Sequence, residues 1–190
     1  MRLLRLAASF LLLSTFLTGQ SLEKPTISLG DALVHPLEET SLPLQLSGLE
    51  GEAIVYLRLK IQFSAVPLRF VRVERDKSRN SFSVHTDLET ETQNFDSQLL
   101  AEIQDFESRN EKKMATLLLE VDSVEPLPEG ELLQLIFEAT DEIYENEELV
   151  IKIVEAALRT ASGEQVEGLY LEDGKVTISI PLFSCFFYMH

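Results

Sequence analysis

Residues 53–65 read AIVYLRLKIQFSA, and from Tyr56 the run alternates without a break. Leu57, Leu59, Ile61 and Phe63 fall on one side; Tyr56, Arg58, Lys60 and Gln62 fall on the other. A period of two is that of a β-strand, and an apolar row opposite a polar one predicts one face in a core and one in water.

The same signature recurs on both sides of this run. Upstream, residues 26–29 form a brief strand candidate closed by Gly30-Asp31, and residues 40–48 place Leu42, Leu44 and Leu46 on one face. Pro43 lies inside that second stretch and has no N–H for a ladder, which predicts an edge or a bulge there. Downstream, residues 68–74, 81–87, 113–121, 149–157 and 175–180 are strand-like, as is the stretch 165–171 after the turn at Ala161-Ser162-Gly163. Residues 131–139, ELLQLIFEA, are apolar at most positions, as in a central strand covered on both faces. Asp173-Gly174 is a tight-turn signal. One stretch departs from period two: Leu99, Leu100, Ile103 and Phe106 are spaced for a helical face behind Asp96 as N-cap. A hairpin turning at Asn110-Glu111 is the competing reading of that stretch. About nine strands with at most one short helix, and no internal repeat, predict an all-β, two-sheet antiparallel sandwich.

The ends of the chain differ from its body. Arg2 and Arg5 precede an apolar run at residues 6–17, and Thr18, Gly19 and Gln20 follow. This is the layout of a signal peptide over residues 1–20, cleaved near Gln20, with an uncleaved N-terminal anchor as the alternative. Either form directs the body of the protein out of the cell, to the medium or the cell surface. Residues 21–181 then make one domain with room for a core. Loss of Arg2 and Arg5 takes the net charge of −16 to −18. Such a charge disfavours nucleic acid and anionic lipid and favours basic partners. Cys185 is the single cysteine, so neither an intrachain disulfide nor a cysteine zinc site can form. Residues 182–190, LFSCFFYMH, are aromatic where polar residues are usual. They are either the start of a second, truncated domain or an extra strand packed on the first.

Chemistry is hard to find in this chain. The acidic run Asp141, Glu142, Glu145, Glu147 and Glu148 invites calcium, but it lacks the glycine and the oxygen spacing of a calcium loop. His35, His85 and His190 have no ligand partners at metal spacing, and there is no G-x-S-x-G. No cofactor is expected. With no tryptophan, the flat residue best suited to stacking on sugar rings is absent, although tyrosine can substitute. The row Tyr56, Arg58, Lys60 and Gln62 is the candidate binding site: an aromatic ring, two cations and an amide on a rigid strand, suited to a negatively charged partner. The same row would also serve simply as the solvated side of a strand.

ISLGDA at residues 27–32, LPLQLSGLEG at 42–51 and the long alternating strand after them resemble the opening of a cohesin domain. LPEGELLQLIFEA at 127–139 and ASGEQVEGLYLEDGKVTI at 161–178 are similar to that family's central strand and closing segment. The resemblance spans residues 26–180. It implies a nine-stranded, immunoglobulin-like jelly roll related in fold to carbohydrate-binding modules. It also implies a non-catalytic module whose exposed sheet face binds a protein partner such as a dockerin, in assemblies that degrade polysaccharide. The charged stretch 91–113 is longer than the usual family connection. The expectation is an exported, monomeric protein-binding module. A carbohydrate-binding module is the alternative, and the N-terminal fragment of a larger secreted enzyme is a second.

Overall fold

The computed structural model describes residues 24–49, 51–75, 82–92, 113–141 and 146–180. These residues form strands β1 (Thr26–Leu29), β2 (Asp31–Val34), β3 (Glu39–Ser47), β4 (Ile54–Ser64), β5 (Leu68–Glu74) and β6 (Phe82–Thr92). They continue as β7 (Lys113–Ser123), β8 (Gly130–Ala139), β9 (Glu147–Thr160), β10 (Tyr170–Glu172) and β11 (Gly174–Ile178). One sheet has the order β10-β1-β3-β8-β5 and the other β2-β11-β9-β4-β7-β6. The expected two-sheet sandwich is the fold observed. The helix or hairpin expected at residues 96–107 and the aromatic tail at 182–190 lie outside the described residues.

The opening stretch does what its period dictates. As β4 it lies between β9 and β7, and Leu57, Leu59, Ile61 and Phe63 are all at most 1% exposed. The facing sheet supplies Leu42, Leu44 and Leu46 from β3, and Leu133, Leu135 and Phe137 from β8. Phe63 and Phe137 meet edge-to-face across the interface with ring centres 5.1 Å apart. Each such side chain contributes ~1.5–3 kcal/mol through burial. Ile136, which alternation turns to the outer side of β8, is buried as well, but Gln134 and Glu138 on that side are only partly buried and no described element packs over them, so the expectation of a strand covered on both faces is not met.

The described residues form eleven strands where about nine were expected: Asp31–Val34, read as following a turn, form β2, so the first run is shared between the sheets, as are the two closing strands β10 and β11. β1 pairs with β3 and, in parallel, with β10; β2 continues from it in the other sheet, parallel to β11. Gly30 and Gly174 are therefore crossing points, and the tight-turn signal at Asp173-Gly174 does not join paired strands: β10 and β11 belong to different sheets. The two crossings pass in contact. A Cβ on Gly174 would lie 2.7 Å from the Gly30 carbonyl oxygen and 2.7 Å from Leu29 Cβ. Glycine is required here for close approach, since Gly174 is not among the positive-φ residues. The strand expected over residues 165–171 is also shorter, because pairing with β1 begins at Tyr170.

Pro43 is explained by the same crossing. β3 is an interior strand, so the edge reading fails, while a register shift against β8 does fall between Leu44 and Gln45. The Gly30 N–H donates to the Pro43 carbonyl at 2.9 Å, which shows that the backbone of residue 43 faces the β1 side. There β1 has stopped pairing at Leu44, so the missing N–H interrupts no ladder.

Candidate functional site

Every polar side chain predicted for the site stands on the outer face of the six-stranded sheet, because β4 is interior and its other face is core. The register sets out four rows across β9, β4, β7 and β6. Arg159, Tyr56, Asp122 and Ser83 make the first; Ala157, Arg58, Glu120 and His85 the second. Glu155, Lys60, Leu118 and Asp87 make the third; Lys152, Gln62, Thr116 and Glu89 the fourth. Tyr56, Arg58, Lys60 and Gln62 are thus brought together as expected, and they form one column of a larger grid.

Contacts within the grid are few and sit at one end. The Tyr56 hydroxyl donates to Glu120 Oε1 at 3.3 Å, and Arg58 Nε stands 3.5 Å from the same oxygen. The Arg159 guanidinium lies 4.9 Å from the centre of the Tyr56 ring, a cation–π contact. Partial burial, with the Glu120 carboxylate beside it, raises the Tyr56 phenol above its ordinary value. The side chains of Lys60, Gln62, Lys152, Glu155, Asp87 and Glu89 make no hydrogen bond or ion pair with another described residue. Arg58, Lys60, Glu89 and Glu155 rim a shallow depression of about 200 Å³ that Leu118 and Ala157 complete.

The outer face of the five-stranded sheet is different. Arg69 pairs with Glu138, and Arg72 pairs with Glu39 at 2.8 Å and with Glu74 at 2.6 Å. Ser41 donates to Gln134 Oε1 at 3.1 Å, and Gln134 in turn to Glu131 Oε1 at 2.9 Å. Charges there are committed to one another. On the six-stranded face most are directed to solvent.

The remaining candidates converge on nothing. Of the acidic run, 142–145 lie outside the described residues, and Glu148 on β9 pairs with Lys175 at 3.0 Å. Among the described residues no three His, Cys, Asp or Glu side chains are grouped to hold a metal. His35 Nδ1 lies 2.6 Å from the Ser179 carbonyl oxygen, a structural contact at the end of β11. A wider groove of about 770 Å³ opens between edge strands β5 and β6, lined by Phe70, Val73, Phe82 and Val84 among others. Arg75 spans it, donating to the Phe82 carbonyl with its guanidinium 5.8 Å from the Phe82 ring centre.

The grid's acidic column escaped the sequence reading. Asp87 and Glu120 stand within strands expected from the sequence, while Glu89 and Asp122 lie on the parts of β6 and β7 that run beyond the expected ends; only the pairing β4-β7-β6 sets all four beside Arg58 and Lys60. The row is therefore not a free positive stripe; carboxylates border it.

No protein-family model matches the chain, and no curated protein matches it at a significant level. Solved structures do. A type I cohesin in complex with a dockerin from Clostridium thermocellum superposes with a TM-score of 0.56 at 14% identity, over 82% of this chain and 99% of that one. A cohesin solved with a dockerin from Acetivibrio cellulolyticus gives 0.57 at 11% identity, over 82% and 99%. A non-cellulosomal cohesin from the hyperthermophilic archaeon Archaeoglobus fulgidus gives 0.52 at 16% identity, over 82% and 91%. At these identities the likeness is one of fold, and by fold the chain is a cohesin-like β-sandwich domain.

Proposed function

We propose that this protein is an exported, non-catalytic binding module whose six-stranded face docks another protein, such as a dockerin-like module, in an extracellular or cell-surface assembly. The observation that carries the reading is the contrast between the two outer faces. One has its charges paired internally; the other presents Lys60, Gln62, Lys152, Glu155, Asp87 and Glu89 with no partner among the described residues, around the depression at Leu118 and Ala157. Groups already solvated and unpaired lose no internal contact when a partner engages them, which favours that face for recognition. Export rests on Arg2, Arg5 and the apolar run 6–17. The cohesins similar in fold, two of them solved with dockerins, support a protein as the ligand.

The test is capture by immobilised protein from the secreted and surface-exposed proteins of the source organism, beside the R58E/K60E variant and a panel of polysaccharides. A partner held by the native protein and weakened at least tenfold by the double reversal is expected, with the β-sheet circular dichroism retained and the thermal midpoint lowered only modestly by the like charges now facing Glu120 and Glu155. Equal capture by both proteins would remove this face from the reading. Strong retention on cellulose or another glycan, without a protein partner, would replace it with carbohydrate binding.

A further inference from the structure

The two sheets part along one side of the molecule. There β5 and β6 each lack a second neighbour among the described residues, and the groove of about 770 Å³ lies between them. Val84, Thr86 and Leu88 of β6 stand opposite Val121, Leu119 and Leu117 of β7, all wholly buried, so the three point to the core side of the sheet. Yet Thr86 is exposed and Leu88 is 44% exposed. Phe70, Val73 and Val84, which line the groove, are only half-buried. Within the described residues, then, the core is left open along β6. The Phe82 carbonyl accepts from Arg75, which reaches it from the β5 side. Backbone groups alternate in direction along a strand, so those of Val84, Thr86 and Leu88 turn to the same open edge.

Unpaired backbone groups beside exposed apolar side chains fit an added strand, and β6 is complementary to itself. Laid antiparallel about Thr86, a second β6 pairs residues 82–90 with their counterparts. Val84 then faces Leu88 on the core side, while His85 faces Asp87 and Ser83 faces Glu89 on the outer side, each pair occurring twice. The side chains of His85 and Asp87 make no hydrogen bond or ion pair with another described residue, so an imidazole N–H is available to the carboxylate. No carboxylate faces a carboxylate in this register. Centring the pair on Asp87 would set that residue against its own copy, and centring it on Leu88 would set Asp87 against Glu89. Centring it on earlier residues pairs a shorter stretch.

Independently of what the outer face binds, we infer that two copies of this protein pair edge to edge through β6, in the register centred on Thr86. Their six-stranded sheets become one continuous sheet, with the two-fold axis normal to it at the Thr86 pair. Each copy covers core-side groups that the other leaves open, and both outer faces look to the same side. This departs from the monomer expected from the sequence.

The experiment is thiol oxidation of T86C in a C185S background, which leaves one thiol per chain. At the axis of a hydrogen-bonded antiparallel pair the two Cα atoms are ~5.5 Å apart, within disulfide reach. At position 83 the two copies are six residues out of register, ~20 Å apart. Dimer cross-linking of T86C/C185S at least tenfold faster than that of S83C/C185S is expected. Adding D87K or H85E should slow it at least fivefold, and adding D87K/H85E together should restore it, because lysine then faces glutamate. In the native protein, amide exchange at Val84, Thr86 and Leu88 should slow as protein concentration rises. Equal cross-linking at the two positions, no rescue by the double reversal, or exchange independent of concentration would each overturn the inference. None of these readouts involves a partner, so face docking is judged separately.

Discussion

Leu37, between β2 and β3, holds a φ of 64°, in the left-handed region that a branched side chain resists. It is 65% exposed, so no packing explains its retention; its N–H donates to the Ala139 carbonyl at 2.8 Å and fastens the turn to β8. Asparagine tolerates that conformation. Leu37→Asn is expected to raise unfolding free energy by about 0.5–1 kcal/mol, read from urea denaturation, and a lower midpoint would show that the Leu37 side chain matters. Tyr56 gives a second handle. Its raised phenol favours the protonated form in the folded state, so this contribution to stability is complete below the unfolded tyrosine value and is lost as pH rises through the folded one. The ultraviolet difference titration of the native protein against Y56F should report a midpoint above that of free tyrosine. Glu120→Gln should lower it. The aromatic, polar and cationic character of Tyr56, Arg58, Lys60 and Gln62 was legible in sequence, because alternation alone separates them from the core. The partner of Tyr56 and Arg58 was not, since Glu120 is far along the chain.

Among the elements, the crossings β1–β2 and β10–β11 hold the two sheets in one register. They do so through contact between glycines, where Gly174 has no room for a Cβ against the Gly30 carbonyl and Leu29. Gly174→Ala is expected to destabilise by about 1–3 kcal/mol, because the obstruction is backbone and cannot swing aside. An unchanged denaturation midpoint would mean that the crossings have slack. Asp173 belongs to the same device: its Oδ1 accepts the Ile153 N–H at 2.8 Å, beside the register shift where β9 kinks against Lys60 and Ile61. An Asp-Gly pair signals a hairpin in local terms, and that is why the sequence pointed to a turn. Here the carboxylate satisfies an N–H at an irregularity in another strand, and the glycine admits another backbone. Both demands are non-local.

In the molecule as a whole, apolar burial and ladder hydrogen bonds hold the described sandwich, so its stability should be distributed by position in the sheets. Amides of β3, β4, β8 and β9, flanked by strands on both sides, are expected to exchange only with global unfolding. The outward amides of β5 and β6, which lack a neighbouring strand among the described residues, are expected to exchange first. Comparable protection on β6 would show that its free edge is covered. Alternating side chains determined the class of fold by themselves: a period of two puts Leu57, Leu59, Ile61 and Phe63 on one face wherever the strand is placed, and burial of that face requires a second sheet. Tertiary structure alone decided which strands are neighbours, where the first and last runs change sheets, and that carboxylates from β6 and β7 lie beside cations from β4 and β9. The reason is physical. Periodicity is set by bonds within a few residues, whereas strand order is set by packing and pairing between segments whose separation along the chain leaves no local mark.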